Sequence, residues 1–521
     1  MEFIRYSKVV SLLSMSVIFF IMVWKVLYTC WILPKLKYRK LRENGFDGPV
    51  PSFPLGNIKD MKELMKKTAT STSLSNISND IHSFVFPYYV LWQKLHGKVF
   101  IYWLGTEPFL YIADPEFIKK ISGVVMSKSW GKPRVFKRDR DPIFGNGLVM
   151  MEGDEWVKRR HVINPAFTLA RLKGIASLMV ESATNMLERW AALIDSDEKL
   201  EMDVENDIMS TAAEIIAKST FGINYKNGKK VFDKIRTMQV TLFKSIRYVG
   251  VPYGELMCSK EILKVKNLGK EIDVLLGSII KARKKMDKNH DSDDLLSLLL
   301  GQVSNGTDDP LRKELSTREV VDECKTFFFG GHETSALALT WTLLLLSLHK
   351  EWQTQLREEI KQVFGEGEID VTKLNGLRKM GWVLNEVLRL YSPAPNVQRQ
   401  VREDIQVDNL VIPKGTNIWI DVVSMHHDKN LWGEDVNEFK PERFKEDMTH
   451  GGCKHKMGFL PFGFGGRMCI GRNLSIMEYK IVLSLILTRF AFDISPNYRH
   501  CPCTLLSLRP TQGLPLIIRP L

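Results

Sequence analysis

Residues 459–475 read FLPFGFGGRMCIGRNLS, a stretch that packs four glycines around a single cysteine, Cys469. A thiolate that binds a metal must be protected from protonation and oxidation, and its charge is stabilised by backbone N–H groups turned toward the sulfur. Glycines permit the sharp turns that bring amides that close, and Gly465, Gly466 and Gly471 flank Cys469 on both sides. Phe462 offers an apolar ring to limit water access to the sulfur. Arg467 offers a guanidinium that can pair with a carboxylate on whatever the cysteine holds.

The surrounding chain has 521 residues, 44% of them hydrophobic, enough for a large buried core in one or two domains. Its formal net charge is +13, but the basic residues are spread along the chain and no zinc knuckle, basic zipper or RNA-binding signature accompanies them. We therefore expect no nucleic-acid partner; an acidic protein or an anionic membrane surface explains the charge as well. The seven cysteines are sparse and irregularly spaced, which argues against a disulfide framework and for a reducing compartment. Cys501-Pro-Cys503 reads as structural and loop-like, because it lacks the C-x-x-C spacing of a dithiol site.

Upstream, Val9 to Leu33 is a run of apolar residues broken by Lys25 alone, long enough for the ~20 residues that cross a bilayer. No small-residue cleavage site follows, so residues 1–34 are expected to be an uncleaved anchor, with Lys25 snorkelling to the headgroups. Lys35, Lys37, Arg39, Lys40 and Arg42 outnumber Arg5 and Lys8, which leaves the rest of the chain in the cytosol. The sequons at Asn76 and Asn305 would then stay unglycosylated. Residues 35–57 form a basic stop-transfer and a proline-rich hinge (Pro49, Pro51, Pro54), and 58–521 the globule.

Within the globule, β-like patches at Lys98–Gly105, Phe109–Asp114 and Ile405–Val422 interrupt several hundred residues of helical periodicity. Ala176–Ile194 and Val274–Met286 are clear amphipathic examples, and residues 289–294 and 304–310 are polar loops. The expected class is mainly α with minor β.

Three more motifs bear on the chemistry. In NEVLRL, Glu386 and Arg389 stand at i and i+3 on one helix face, where a salt bridge forms. In FFFGGHETSALALTW, two glycines weaken a helix locally, and the Thr334 hydroxyl can bond back to the Gly330 carbonyl or reach a ligand in the gap. His332-Glu333 resembles the start of a zinc H-E-x-x-H, but Ala336 removes the second ligand. In EWVKRRHVINPAF, Trp156 and Arg160 share one helix face.

Phe462-Gly-Phe-Gly-Gly-Arg467-Met-Cys469-Ile-Gly471 matches F-G-x-G-x-R-x-C-x-G at every fixed position and resembles the cysteine-ligand loop of the cytochrome P-450 family. The other motifs resemble that family too, and details such as NPAF and FGGHETS are most like its plant microsomal group of cytokinin, gibberellin and terpenoid-type hydroxylases. The resemblance implies the cytochrome P-450 fold and haem b (iron protoporphyrin IX), with Cys469 as axial ligand to the iron. It implies haem-propionate contacts from Trp156, Arg160, Arg467 and Arg399, the last preferred over Arg402, with Phe462 and Gly471 around the sulfur. It implies an acid–alcohol proton relay of Glu333 and Thr334, and a buried structural ion network of Glu386, Arg389 and Arg443. Phe328, Phe329, Gly330, Asn396 and Val397, with parts of 127–148 and 241–251, are expected to line a substrate pocket.

The implied activity is a monooxygenase that inserts one atom of O2 into a small lipophilic molecule of phytohormone, terpenoid, steroid or fatty acid type. Electrons would come from NADPH through the flavins of NADPH–cytochrome P-450 reductase, with cytochrome b5 as a further partner, at the endoplasmic reticulum membrane. Lys158, Arg159, Lys454 and Lys456 are expected at the docking face, unless they are ordinary solvated cations. Two rivals share the fold or the cofactor: an isomerase or dehydratase needing neither reductase nor oxygen, and a non-catalytic haem sensor. The intact Glu333-Thr334 pair argues against both.

Overall fold

Ser316 opens the central helix of the protein: its hydroxyl accepts the Glu319 N–H while the Glu319 carboxylate accepts the Ser316 N–H, a reciprocal capping box. The helix runs Thr317–Leu348, and in this computed structural model it is buried on nearly all sides. The structure describes residues 2–71, 77–124, 129–194, 199–222, 225–244, 249–257, 259–285, 294–301 and 315–521. The sequon at Asn76, the one at Asn305, the loop at 304–310 and nearly all of the 289–294 loop lie outside them, as do short parts of 127–148 and 241–251.

The expected helix-rich class with minor sheet is what forms. Helices Ala176–Leu193, Val204–Phe221, Tyr225–Lys244, Ser259–Lys285, Lys350–Phe364, Arg378–Leu390 and Arg472–Arg489 surround the central helix, and apolar faces meet in one core. The Gly330-Gly331 pair does not interrupt the central helix. Gly331 is required there by close packing, since a Cβ would stand 2.5 Å from Ile216 Cδ1 on Val204–Phe221.

The first two β-like patches become Val99–Leu104 and Glu107–Ile112, an antiparallel hairpin. The third becomes Ile405–Val407 and Leu410–Ile412, a second hairpin, followed by Asn417–Asp421. Asn417–Asp421 lies parallel to Glu107–Ile112 and antiparallel to Asn396–Val401, which pairs in turn with Trp130–Gly131. The C-terminal residues build two small sheets, the pair Pro502–Leu505 and Ser507–Pro510, and a three-stranded sheet in which Pro515–Pro520 lies between Leu200–Asp203 and Phe490–Ile494. Cys503 therefore sits in a strand rather than a loop, because Pro502–Leu505 pairs with Ser507–Pro510. The six described cysteines are free thiols.

At the N-terminus, Tyr6–Glu43 is one helix long and apolar enough to cross a membrane, with side chains such as Phe19 and Phe20 exposed. Helix continues to Glu43, past the anchor boundary expected at residue 34, because a π-turn over Tyr28–Ile32 precedes Pro34 at the start of Leu33–Glu43. Lys25 lies 5.5 Å over the Tyr253 ring. The proline segment is docked rather than free: Ile101 N–H donates to the Asp47 carbonyl (2.8 Å) and Trp103 N–H to Asn57 Oδ1 (2.9 Å). A Cβ at Gly48 would stand 1.9 Å from the Ile101 oxygen, so glycine lets this segment lie against the strand.

Candidate active site

From Val320 to Ser347 every residue of the central helix is buried except three, Gly330, Gly331 and Thr334. Positions 330 and 334 are one turn apart on one face, so the helix opens to a cleft at a single place. A Cβ at Gly330 would meet nothing within 4 Å. Thr334 Oγ1 donates to the Gly330 carbonyl at 2.8 Å, the back-bond expected of a helical threonine with no other acceptor. Glu333, beside it, is turned to the buried side, where Gln239 Nε2 donates to its Oε1 at 2.8 Å and Arg509 Nη1 lies 3.7 Å away.

One residue past Thr334, the Ser335 hydroxyl donates to Ser475 Oγ at 3.2 Å. That bond joins the open turn to helix Arg472–Arg489, whose N-terminus follows directly on the cysteine loop. Gly463 and Gly465 take φ of 75° and 62°, conformations that favour glycine, and the Cys469 N–H donates to the Phe462 carbonyl at 2.9 Å to close the loop. A Cβ on Gly471 would have only Cys469 Sγ near it, at 3.9 Å. Cys469 is exposed in its loop, but desolvation by the atoms packed around the loop pushes its thiol pKa up, while the Gly471 amide and the charges of Arg160 and Arg472 pull it down. The Arg472 guanidinium caps the Phe462 ring at 5.8 Å.

Around this loop, cations converge. Arg467 lies 4.3 Å over the Trp156 ring and donates to the Met151 carbonyl at 3.1 Å. Arg160, on the same helix Gly153–Ile163 as Trp156, has its pKa lowered by desolvation and raised by Cys469. Arg399, on Asn396–Val401, is buried, donates to the Gln398 carbonyl at 3.0 Å, and is pushed down to about 9 by burial and by Arg467. Arg402 is engaged elsewhere, its Nε donating to Glu152 Oε2 at 2.7 Å.

A family model described as cytochrome P-450 matches residues 74–516. The chain is a member of the cytochrome P-450 family. It is similar to two cytokinin hydroxylases of Arabidopsis thaliana, 38% identical over 517 residues (97% of this chain, 98% of the relative) and 37% over 522 (98% of each). It is also similar to 11-oxo-beta-amyrin 30-oxidase of Glycyrrhiza uralensis, 36% identical over 504 residues, 95% of this chain and 94% of that one. The protein is thus a cytochrome P-450 monooxygenase, and the family implies a haem.

The residues present fit that group. Half-buried Lys132 forms a patch with Arg399 and Arg467: desolvation, Arg399, Arg140 and Arg467 hold Lys132 well below the usual lysine range, and Arg467 in turn depresses Arg399. Among the described residues neither Lys132 nor Arg399 has a carboxylate within ion-pairing distance. A cationic patch of this kind suits an anionic ligand, and two propionates meet that requirement. Sequence reasoning missed Lys132 because it belongs to no motif; only the fold brings the segment around Trp130–Gly131 against Asn396–Val401.

Two expectations are corrected by packing. Phe328 does not line the cleft: it is fully buried, stacked on Phe221 at 4.5 Å and edge-on to Phe232 at 4.9 Å. Phe329 is nearly buried against Phe144, at 4.9 Å. Arg159 is unavailable for docking, because its guanidinium is buried between Glu319 (2.6 Å) and Glu323 (2.8 Å). Lys158, Lys454 and Lys456 are exposed. Asn396 and Val397 are half-buried at the start of their strand, where Asn396 Oδ1 accepts from Gln398. Glu386, Arg389 and Arg443 come together: Arg389 grips Glu386 at 2.7 and 2.8 Å, and Arg443 Nε lies 3.4 Å from Glu386.

Proposed function

We propose that this cytochrome P-450 is a membrane-anchored hydroxylase of a small lipophilic molecule, fed with electrons from NADPH by a membrane-bound reductase. The observation that carries it is the single open turn at Gly330, Gly331 and Thr334, tied through Ser335 and Ser475 to the Cys469 loop. Cys469 is the proposed iron ligand, with the Gly471 amide, Arg160 and Arg472 stabilising its charge. Trp156, Arg160, Arg399, Arg467 and Lys132 are the proposed propionate-binding set. The haem, when bound, supplies reductive activation of dioxygen and transfer of one oxygen atom to a C–H bond.

Thr334 serves the relay by exchanging its bond to the Gly330 carbonyl for one to a group in the cleft, and Glu333 supplies the proton from the buried side. Glu386, Arg389 and Arg443 have no part in the chemistry and hold the Cys469 side of the fold together. The exposed apolar helix at the N-terminus supports anchoring of residues 1–34 in the endoplasmic reticulum membrane, with residues 58–521 on the cytosolic face. Exposed Lys158, Lys454 and Lys456 support docking of an acidic reductase surface, and of cytochrome b5.

The names of the relatives supply the first substrates to try, cytokinins and 11-oxo-beta-amyrin. The holoprotein in vesicles with reductase, NADPH and isotopically labelled dioxygen should yield a product carrying one labelled oxygen atom. Product formed without NADPH and without label would replace this reading with an isomerase or dehydratase.

A further inference from the structure

The Glu333 carboxylate is held by two separate elements, a helix and a hairpin, and the hairpin's cation is shared with a third. Gln239 on Tyr225–Lys244 donates from one amide nitrogen to both Glu333 Oε1 and the Leu505 carbonyl, at the tip of the hairpin Pro502–Leu505 and Ser507–Pro510. Arg509, on the second strand of that hairpin, divides its guanidinium between two buried carboxylates. Its Nη2 donates to Glu205 Oε1 at 2.6 Å, and its Nη1 lies 3.7 Å from Glu333 Oε1. Glu333 Oε2 has no hydrogen-bond partner among the described residues.

We propose that Arg509, Glu205 and Gln239 are positioning residues that form a latch on Glu333, fixing its resting orientation and how readily it takes up and releases a proton. The proposal rests on the reading of Glu333 as the acid of the relay. One positive charge cannot neutralise two buried carboxylates, and here the geometry gives the closer contact to Glu205, 2.6 Å against 3.7 Å to Glu333. Glu333 is thereby left under-neutralised, with one oxygen free to carry a proton.

The charged and titratable groups around this centre are Arg509 and Cys503 on the hairpin, Glu205 on Val204–Phe221, Arg236 on Tyr225–Lys244, and His332 on the central helix itself. Burial raises the Glu333 pKa, the Ser507 hydroxyl at the hairpin, Gln239 and Arg509 lower it in that order, and Glu205 raises it again. Opposite effects follow from the two ends of the latch. Neutralising Arg509 removes the charge that favours the carboxylate, whereas neutralising Glu205 removes a like charge and frees Arg509 to turn fully to Glu333.

The test reads the proton on Glu333 directly, by pH-titrated infrared difference spectra of the resting holoprotein, with the Glu333→Gln variant identifying its carboxylic C=O band. In Arg509→Gln the midpoint of that band should move up by about one pH unit, and in Glu205→Gln it should move down by a similar amount. If Arg509→Gln does not fold, Gln239→Leu removes the other donor and should also move the midpoint up. Midpoints unmoved in Glu205→Gln and in either partner variant overturn the latch. Failure of the relay reading looks different: Glu333→Gln would leave hydrogen peroxide release per NADPH oxidised unchanged in the reductase-coupled system, whatever the infrared midpoints do.

Discussion

Glu386 and Arg389 form a bidentate ion pair at 2.7 and 2.8 Å with both side chains fully buried. Arg389 also donates to the His426, Val436 and Glu438 carbonyls, so one guanidinium ties the helix Arg378–Leu390 to the segment leading toward the cysteine loop. Removing one partner strands a buried charge and costs about 3–5 kcal/mol. Arg389→Ala should lower the denaturant midpoint accordingly and yield protein that fails to retain haem. Arg389→Lys should not rescue it, since an ammonium cannot reproduce the fork.

Arg399, in the strand Asn396–Val401, and Arg402, just past its end, are three positions apart, yet they face different partners: the cationic patch near Arg467 and the Glu152 carboxylate, respectively. Arg399→Leu should speed haem transfer to a haem-free globin by about tenfold or more, the worth of a charged hydrogen bond of ~1.5–3 kcal/mol. Arg402→Leu should change that rate much less. Equal effects would remove Arg399 from the propionate set.

Phe328 and Gly330 stand two positions apart on one helix and separate stability from the cleft. Phe328→Ala leaves a cavity between Phe221 and Phe232 and should cost about 3–5 kcal/mol in unfolding free energy with little change in which substrates bind. Gly330→Ala meets open space and should stabilise the helix by up to ~1 kcal/mol while altering the spectral response to substrates, because its new methyl enters the cleft.

Glu478 is fully buried on Arg472–Arg489, and neither of its oxygens has a hydrogen-bond partner among the described residues. Burial, partly offset by Ser335, raises its pKa to about 8. Folding therefore binds a proton there: the group costs nothing below its unfolded value near 4.5, and stability is lost as pH rises from there through about 8. Glu478→Gln should unfold at higher denaturant than the parent at pH 8, by ~2–4 kcal/mol, with the gap closing toward pH 5. A gap independent of pH would show that the carboxyl does not titrate in this range.

The cysteine loop, the Glu386-Arg389 pair and the Gly330–Thr334 turn were legible because each compresses its chemistry into a short run of residues. The mainly helical class was legible for a similar reason, as apolar stripes at helical spacing mark each amphipathic helix. What escaped was set by long-range pairing. Lys132 reaches the cationic patch through the pairing of Trp130–Gly131 with Asn396–Val401, and Arg509 reaches Glu333 through a hairpin at the far end of the chain. Phe328 and Gly330 have neighbouring places in sequence but opposite faces, so a pocket guess by proximity assigned both to the cleft. Arg159 is one residue from exposed Lys158 and yet is buried, for the same reason of helical phase.

Cys469 carries the central claim, and the absorption spectrum of the reduced protein under carbon monoxide tests it most directly. The wild-type holoprotein should show the red-shifted Soret band of thiolate ligation, and Cys469→Ala should lose it. A wild-type spectrum of the histidine-ligated kind, or an unchanged red-shifted band in Cys469→Ala, would contradict the assignment of Cys469 as the iron ligand.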